Sequence, residues 1–370
     1  MLDTAALDEG RELMKIGIVG MPNAGKSTLF NGLTAAGAET AGHPFTTIEP
    51  NVAVVPVPDE RLERIAAVLG SSEVVPETID FHDIAGLVAG ASRGEGLGNK
   101  FLASIRETDA ICHVVRAHGA GAVAHPEGRV DPVADAELVE TELLAADLEQ
   151  AERRLEKVTK ESRSGDKRAI AEEGWLRELV EALASGRPAR AVPVPEAAGD
   201  ALRKLWPLTA KPVLYVANVD EGEVEVPEAL AARAVDRGAG AVAISAKVES
   251  ELRELSEAEA EEMRSELGIE RSGLERLIRA AFELLDLVTF FTADTGKEAT
   301  GRTLPRGGTA YDAAGRVHTD IQRGFVRAEV VWWSDLVEAG GYPGARERGV
   351  LRTEGRDYVV RDGDVIEIKH

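Results

Sequence analysis

"KIGIVGMPNAGKSTLFNGLT", residues 15–34, decides the fold. An apolar run of strand type leads into a glycine-containing turn, and the turn opens an amphipathic helix. Gly20-Met21-Pro22-Asn23-Ala24-Gly25-Lys26-Ser27 fits G-x-x-x-x-G-K-[ST] in the strand–loop–helix context that motif requires. The spacing has a chemical reason. Glycines let backbone N–H groups turn inward around a polyanion, and the following helix aims its positive end at the same place. Lys26 then reaches the outer phosphates, and the Ser27 hydroxyl can ligate Mg²⁺.

Two downstream stretches supply the rest of a phosphate site. "ETIDFHDIAGL" (77–87) is a strand ending in Asp83-x-x-Gly86. There a carboxylate can hold a magnesium-bound water, and the Gly86 N–H can sense a γ-phosphate. "HPFTTIEPN" (43–51) offers the hydroxyls of Thr46 and Thr47 to the metal. Leu87 occupies the place where many switch GTPases carry a water-orienting Gln, so slow intrinsic hydrolysis is expected. The segment 86–101 holds glycines at 86, 90, 94, 96 and 98, which reads as a loop ordered by ligand.

"KPVLYVANVDE" (211–221) is a strand ending in Asn218, and "GAVAISAKVE" (240–249) is a strand followed by Ser245-Ala246-Lys247. These positions suit a base-reading loop and the loop that packs on the base from its other side. A guanine reader would carry N-K-x-D at 218–221. Here Val219 replaces the Lys and Glu221 the final Asp. Guanine offers N1–H and N2–H₂ to a carboxylate at fixed reach, and a polar mismatch in such a site is heavily penalised. Asn218 keeps a group able to reach N7, which both purines share. Asp220 lies one place early and should point elsewhere. Adenine is the expected base.

The chain resembles the Obg-like ATPase, or YchF, family of P-loop proteins. The resemblance rests on "GMPNAGKSTLFNGLT", "HPFTTIEPN", "DIAGLVAGASRGEGLGNKFL", "RETDAICHVVRA", "YVANVDE", "RSGLERLIRAAFELLDLVTFFTA" and "GRDYVVRDGDV", which together cover nearly everything from Met14 onward. It implies that Asn23, Ala24, Gly25, Lys26, Ser27 and Thr28 bind phosphates and that Ser27 and Thr47, with Asp83, serve Mg²⁺. It implies base contacts from Asn218, Val219 and Glu221, with Ser245, Ala246 and Lys247 behind the base. Lys26, Gly86 and His125 would serve hydrolysis; His125 matches a family histidine assigned such a part. Departures exist. The family's redox-linked cysteine before the switch threonine is Thr46 here, leaving Cys112 as the chain's single cysteine. The ending "VIEIKH" replaces the family's Phe-rich tail, and "GRTL" an "AWTI"-like strand.

The expected fold is α/β: a P-loop domain with a doubly wound sheet (14–131 and 208–286), an antiparallel helical hairpin inserted at 132–207, and a C-terminal β-grasp, TGS-like module at 287–370. Residues 1–13 read as an extension. In the insertion, Leu144, Leu148, Ala151, Leu155 and Val158 follow a 4-3-4-3 seam, and Ile170, Leu176, Leu179 and Leu183 form the returning face. In the last segment, strand-like runs such as "FVRAEVVWW" alternate with turns. Its Arg302, Arg306, Arg316, Arg323 and Arg327 are candidates for a basic patch, and "VVWW" reads as core. His82 and His113 lie on apolar strand patterns and read as packed residues; for the loop residues His118 and His125 a surface histidine without a role is the commoner case, and the resemblance tips His125 towards function.

Charge narrows the partners. With 43 Lys+Arg against 65 Asp+Glu the net charge is −22, which argues against DNA and against sequence-blind binding to nucleic acid. Residues 287–370 are nearly neutral, with 12 Lys/Arg against 13 Asp/Glu, so contact with ribosomal RNA or protein is expected there or along the helical arm. No apolar run reaches the roughly 20 residues of a membrane span. The reading is a cytoplasmic, Mg²⁺-dependent ATPase whose nucleotide state controls docking on the ribosome. The alternatives are a nucleotide-dependent scaffold with negligible hydrolysis and a GTPase with an altered base-reading motif. A P-loop small-molecule kinase fits least, because Asp83-x-x-Gly86 and the switch threonine belong to nucleotide switches.

Overall fold

The structure is a computed structural model, and it describes residues 14–40, 51–84, 97–119, 130–252, 255–266 and 271–370. Among these, two six-stranded sheets organise the chain. The first has the order β2 (Val52–Pro56), β4 (Thr78–Asp83), β1 (Lys15–Val19), β5 (Ala110–Arg116), β6 (Val213–Asn218), β7 (Gly240–Ile244). β2 runs antiparallel to β4, and the remaining pairs are parallel. β5 and β6 are buried at every residue, as central parallel strands covered on both faces must be.

Alternation along the strands assigns the two faces. Ile16, Ile18, Val114 and Val216 pack with Leu29 and Leu33 of α1 (Lys26–Thr40) and with Leu277 and Ile278 of α10 (Gly273–Leu284). Val19, Ile111, Val115 and Tyr215 meet Ile105 of α3 (Leu97–Arg106), Val139 of α4 (Pro132–Glu161) and Leu230 of α7 (Glu228–Arg237). The period-2 pattern thus gives the doubly wound arrangement expected from the sequence. Cys112 is wholly buried in the first of these layers, and burial pushes its thiol up to about 12. It carries no thiolate near neutral pH.

α4 serves two cores. Asp131 caps it, accepting from the Ala134 N–H, and Pro132 opens its first turn. Its first half lies on the nucleotide sheet. Its second half pairs with α5 (Lys167–Ala184) through Ala151, Leu155 and Val158 against Trp175, Leu176 and Leu179, the hairpin the seam predicts. Ile170 departs from expectation and is 51% exposed. Nine residues at about 100° each place it half a turn from Leu179, so Trp175 fills the core instead. The chain's return is fixed by buried Asp147, which accepts from the Leu208 and Thr209 N–H groups at 2.8 and 2.7 Å. α6 (Ala201–Leu205), α8 (Ala246–Leu252) and α9 (Glu257–Glu266) complete the connections around the first sheet.

The second sheet has the order β11 (Arg352–Glu354), β10 (Arg327–Trp332), β12 (Asp364–Lys369), β8 (Leu287–Ala293), β9 (Glu298–Pro305), β3 (Glu73–Val75). An antiparallel β8–β9 hairpin and a parallel β12–β8 contact give it β-grasp topology. On one face, α11 (Ala310–Val317), followed by α12 (Thr319–Arg323), covers Val288, Phe290, Val330 and Ile366. The opposite face holds α13 (Trp333–Glu338) and α14 (Tyr342–Glu347). It also holds a helix from far upstream, α2 (Glu60–Leu69). Leu62, Ile65, Ala66 and Leu69 of α2 meet Phe291, Val331 and Val365 there. α2 and β3 lie within 14–131 in sequence, yet they fold with the C-terminal module. In "VVWW", Val330 and Val331 are core, while Trp332 is 37% exposed.

Candidate nucleotide site

β1 leaves the sheet through Gly20 at φ +152°, where a Cβ would fall 2.2 Å from the Val114 carbonyl. Only glycine allows that exit. Asn23 takes a left-handed φ of +64° at the turn, and Gly25 a φ of +100°. α1 starts immediately after, so its free N–H groups face the loop, with the Ser27 and Thr28 side chains exposed at its mouth. The Lys26 ammonium folds back and donates to the Gly20 and Met21 carbonyls at 3.0 and 2.9 Å. Burial lowers the Lys26 pKa and the Asp83 charge opposes this; burial raises the Asp83 pKa and Lys26 opposes that. The two groups therefore share one electrostatic field. Asp83 ends β4 beside Ile18 of β1, and its N–H donates to the Asn51 carbonyl at 2.9 Å.

Asn218 ends β6 and bridges two loops of the protein while one Nδ2 hydrogen is left over for a base. Its Nδ2 donates to the Ala24 carbonyl at 3.1 Å, and its Oδ1 accepts from the Ala246 N–H at 3.1 Å. The amide thus ties the phosphate loop to the Ser245-Ala246-Lys247 loop. Gly25 is required at this junction, because a Cβ there would meet Nδ2 at 2.2 Å. Ser245 caps α8, its carbonyl accepting from the Glu249 N–H at 3.0 Å. Val219, to which the resemblance gives a base contact, has its side chain buried in the apolar layer beside Ala217 and Leu230; a β-branched side chain at a strand end turns to the core. Asp220 points away as expected, its Oδ2 accepting from the Gly119 N–H at 2.7 Å. The Glu221 carboxylate lies 3.2 Å from the Lys247 ammonium, which also approaches Glu251 at 3.6 Å.

The structure therefore brings together the phosphate loop, Asp83, the 218–221 loop and the 245–247 loop at the carboxyl ends of β1, β4, β6 and β7, where ligands of such sheets gather. Thr46, Thr47, Gly86, Leu87 and His125 lie outside the described residues. The donor set fits Mg²⁺: an exposed hydroxyl and a carboxylate are hard oxygen ligands, and this ion keeps waters and phosphate oxygens for the rest.

Two features escape sequence reading. Arg116, wholly buried at the end of β5, donates to the Gly119 carbonyl at 3.3 Å and supports the loop that holds Asp220. Only its place at the end of an apolar strand hints at this. The five C-terminal arginines that are candidates for a basic patch have neighbours the sequence does not show, and Arg306, Arg323 and Arg327 remain exposed. Arg302 donates to the Arg316 carbonyl and Arg316 to the Thr303 carbonyl, while Arg306, Arg323 and Arg327 face Asp286, Asp320 and Glu329.

Behind the site, His113 is buried as its strand pattern predicts. Burial lowers its pKa to about 4, outweighing the opposing charge of Glu140, while Lys26 and Arg233 add to the lowering. The unfolded chain takes up this proton near 6.5, and the folded one resists until about 4. Stability is thus full above 6.5 and falls as the pH drops through that window, by up to about 3 kcal/mol. Denaturant titrations across pH 7 to 4 should show this slope, and His113→Leu should flatten it. An unchanged slope in the variant would refute the assignment.

Comparison with known proteins agrees with this geometry. A family model described as "50S ribosome-binding GTPase" matches residues 15–159, and the YchF-GTPase C-terminal model, described as a protein of unknown function, matches 287–370. A protein named ribosome-binding ATPase YchF from Bacillus subtilis (strain 168) is 47% identical over 359 residues, covering 95% of this chain and 98% of that protein. Its namesake from Escherichia coli O157:H7 is 46% identical over 355 residues, with the same coverage of 95% and 98%. The solved structure of the Schizosaccharomyces pombe YchF GTPase superposes with a TM-score of 0.85 at 33% identity, covering 98% of this chain and 100% of that one. The printed names of these relatives thus differ on the nucleotide. On fold, site and sequence over nearly its whole length, the chain belongs to the YchF family.

Proposed function

We propose that this protein is a Mg²⁺-dependent nucleotide switch that binds and slowly hydrolyses ATP in preference to GTP, and that its nucleotide state governs docking on the ribosome in the cytoplasm. The observation that carries the base preference is the pairing of Glu221 with Lys247. The position that reads guanine holds a carboxylate one methylene longer, and that carboxylate is already engaged by a cation. Adenine asks for no carboxylate at N1 and N2, so its binding loses nothing by this pairing. Phosphate binding rests on the loop N–H groups, the α1 N-terminus and Lys26, which leaves its two carbonyl partners to meet the γ-phosphate. These donors are fixed before the reaction and stabilise charge that develops on the transferring phosphoryl group. Ser27 and Asp83 would hold Mg²⁺, which supplies charge neutralisation on the phosphate oxygens. The names of the bacterial relatives support both the ATP and the ribosome reading.

Turnover of ATP by the isolated protein should stay below about 1 s⁻¹, the low end for enzymes, and should vanish with EDTA. Addition of bacterial ribosomes should raise it severalfold. Fast turnover that ignores ribosomes would contradict the switch reading.

A further inference from the structure

The strand that carries Asp83 begins one residue after Glu77, which touches the C-terminal module. β2 and β4 form an antiparallel pair, Val52 opposite His82 through to Pro56 opposite Thr78, and the Asp83–Asn51 hydrogen bond closes the pair at the nucleotide end. At the other end the chain crosses into the second sheet. There α2 buries its apolar face, and β3 pairs with β9 from Glu73–Glu298 to Val75–Thr300. Arg61 of α2 is anchored to Asp362 at 2.6 Å. The chain then returns through Glu77.

Glu77 is the joint. Its Oε2 accepts from the Thr303 hydroxyl of β9 at 2.8 Å and lies 3.8 Å from the Arg316 guanidinium of α11. Its backbone carbonyl accepts from the Val57 N–H at 2.7 Å, which holds the outgoing and returning strands together. Thr303 is wholly buried, so that hydroxyl has a fixed direction. From Glu77 to Asp83 there is one strand, about 20 Å long, whose Ile79 and Phe81 are fully buried. A strand held in this way transmits displacement rather than absorbing it.

We propose that Glu77 is a positioning residue for Asp83: by clamping the outer end of β4 to Thr303, it couples the phosphate site to the C-terminal module. This rests on the nucleotide-switch reading given above. Coupling of this kind is reciprocal, so a ligand at the phosphate site must change the module, and a partner on the module must change nucleotide affinity.

Hydrogen exchange on the full chain, with and without a non-hydrolysable ATP analogue and Mg²⁺, tests it. The analogue should change amide exchange at least about 3-fold in 60–77 and 298–305, far from any phosphate contact. Thr303→Val should still bind the analogue within about 3-fold by calorimetry but lose the remote change, and Thr303→Ser should restore it. A merely structural role for Thr303 would alter melting without separating binding from the remote response. Binding without a remote change in the unaltered protein, or a full remote change in Thr303→Val, would overturn the proposal. Absence of nucleotide binding would overturn it together with the functional reading, and calorimetry distinguishes that case.

Discussion

Lys26→Ala is expected to lower ATP turnover by at least about 10³-fold, on the order of 4 kcal/mol of transition-state stabilisation. Lys26 is 9% exposed, and its ammonium is folded onto the Gly20 and Met21 carbonyls. Its desolvation lowers its pKa and Asp83 opposes this in part, so little water surrounds the group. In that setting its charge acts on the phosphoryl oxygens at short range and low screening. Binding of the ground-state nucleotide should weaken far less, by about 10-fold, because the backbone N–H groups and helix terminus remain. Phosphate release and calorimetry measured together give the two numbers. Equal losses in both would mean that Lys26 serves binding alone.

Asn218→Ala should weaken ATP and GTP by the same factor, about 100-fold, and cost about 1–3 kcal/mol of stability. Both expectations follow from the strut. Without the amide, the Ala24 carbonyl and the Ala246 N–H lose their partner in a buried place, and two loops that meet the nucleotide come apart. A residue that reads the purine from N7 would give the same equal loss for both nucleotides, but it would leave stability alone. Melting temperature therefore separates the two roles. Asn218→Asp is the informative companion: it can accept from Ala246 but cannot donate to Ala24, so it should recover part of the loss at most.

The phosphate loop, β5 and β6 were legible because each writes its own context: an apolar strand, glycines where φ must be positive, a helix start. The doubly wound sheet and the helical hairpin follow from periodicity in the same local way. Contacts set by long-range folding were not legible. Asn218 and Ala24 stand 194 residues apart, and no pattern at either end says that the amide also bridges the two loops. α2 displays a clear apolar face in sequence, Leu62, Ile65, Ala66 and Leu69, but not which of two sheets it covers. Motif position gives Val219 a base contact, and its apolar branch separately argues that the side chain lies in the core, where the structure has it. The arginines of the last module show the same limit, since charge is visible in sequence and its local partners are not. Ile170 is different, because its half-turn offset from Leu179 is readable in the sequence itself.

Calorimetric titration of nucleotide-free protein with ATP and with GTP, in Mg²⁺, followed by Glu221→Asp, tests the central claim most directly. ATP should bind at least tenfold more tightly, a difference of about 1.4 kcal/mol, and Glu221→Asp should narrow the gap by strengthening GTP. Equal affinities, or a preference for GTP in the unaltered protein, would contradict the claim that the Glu221–Lys247 pair has replaced the guanine reader.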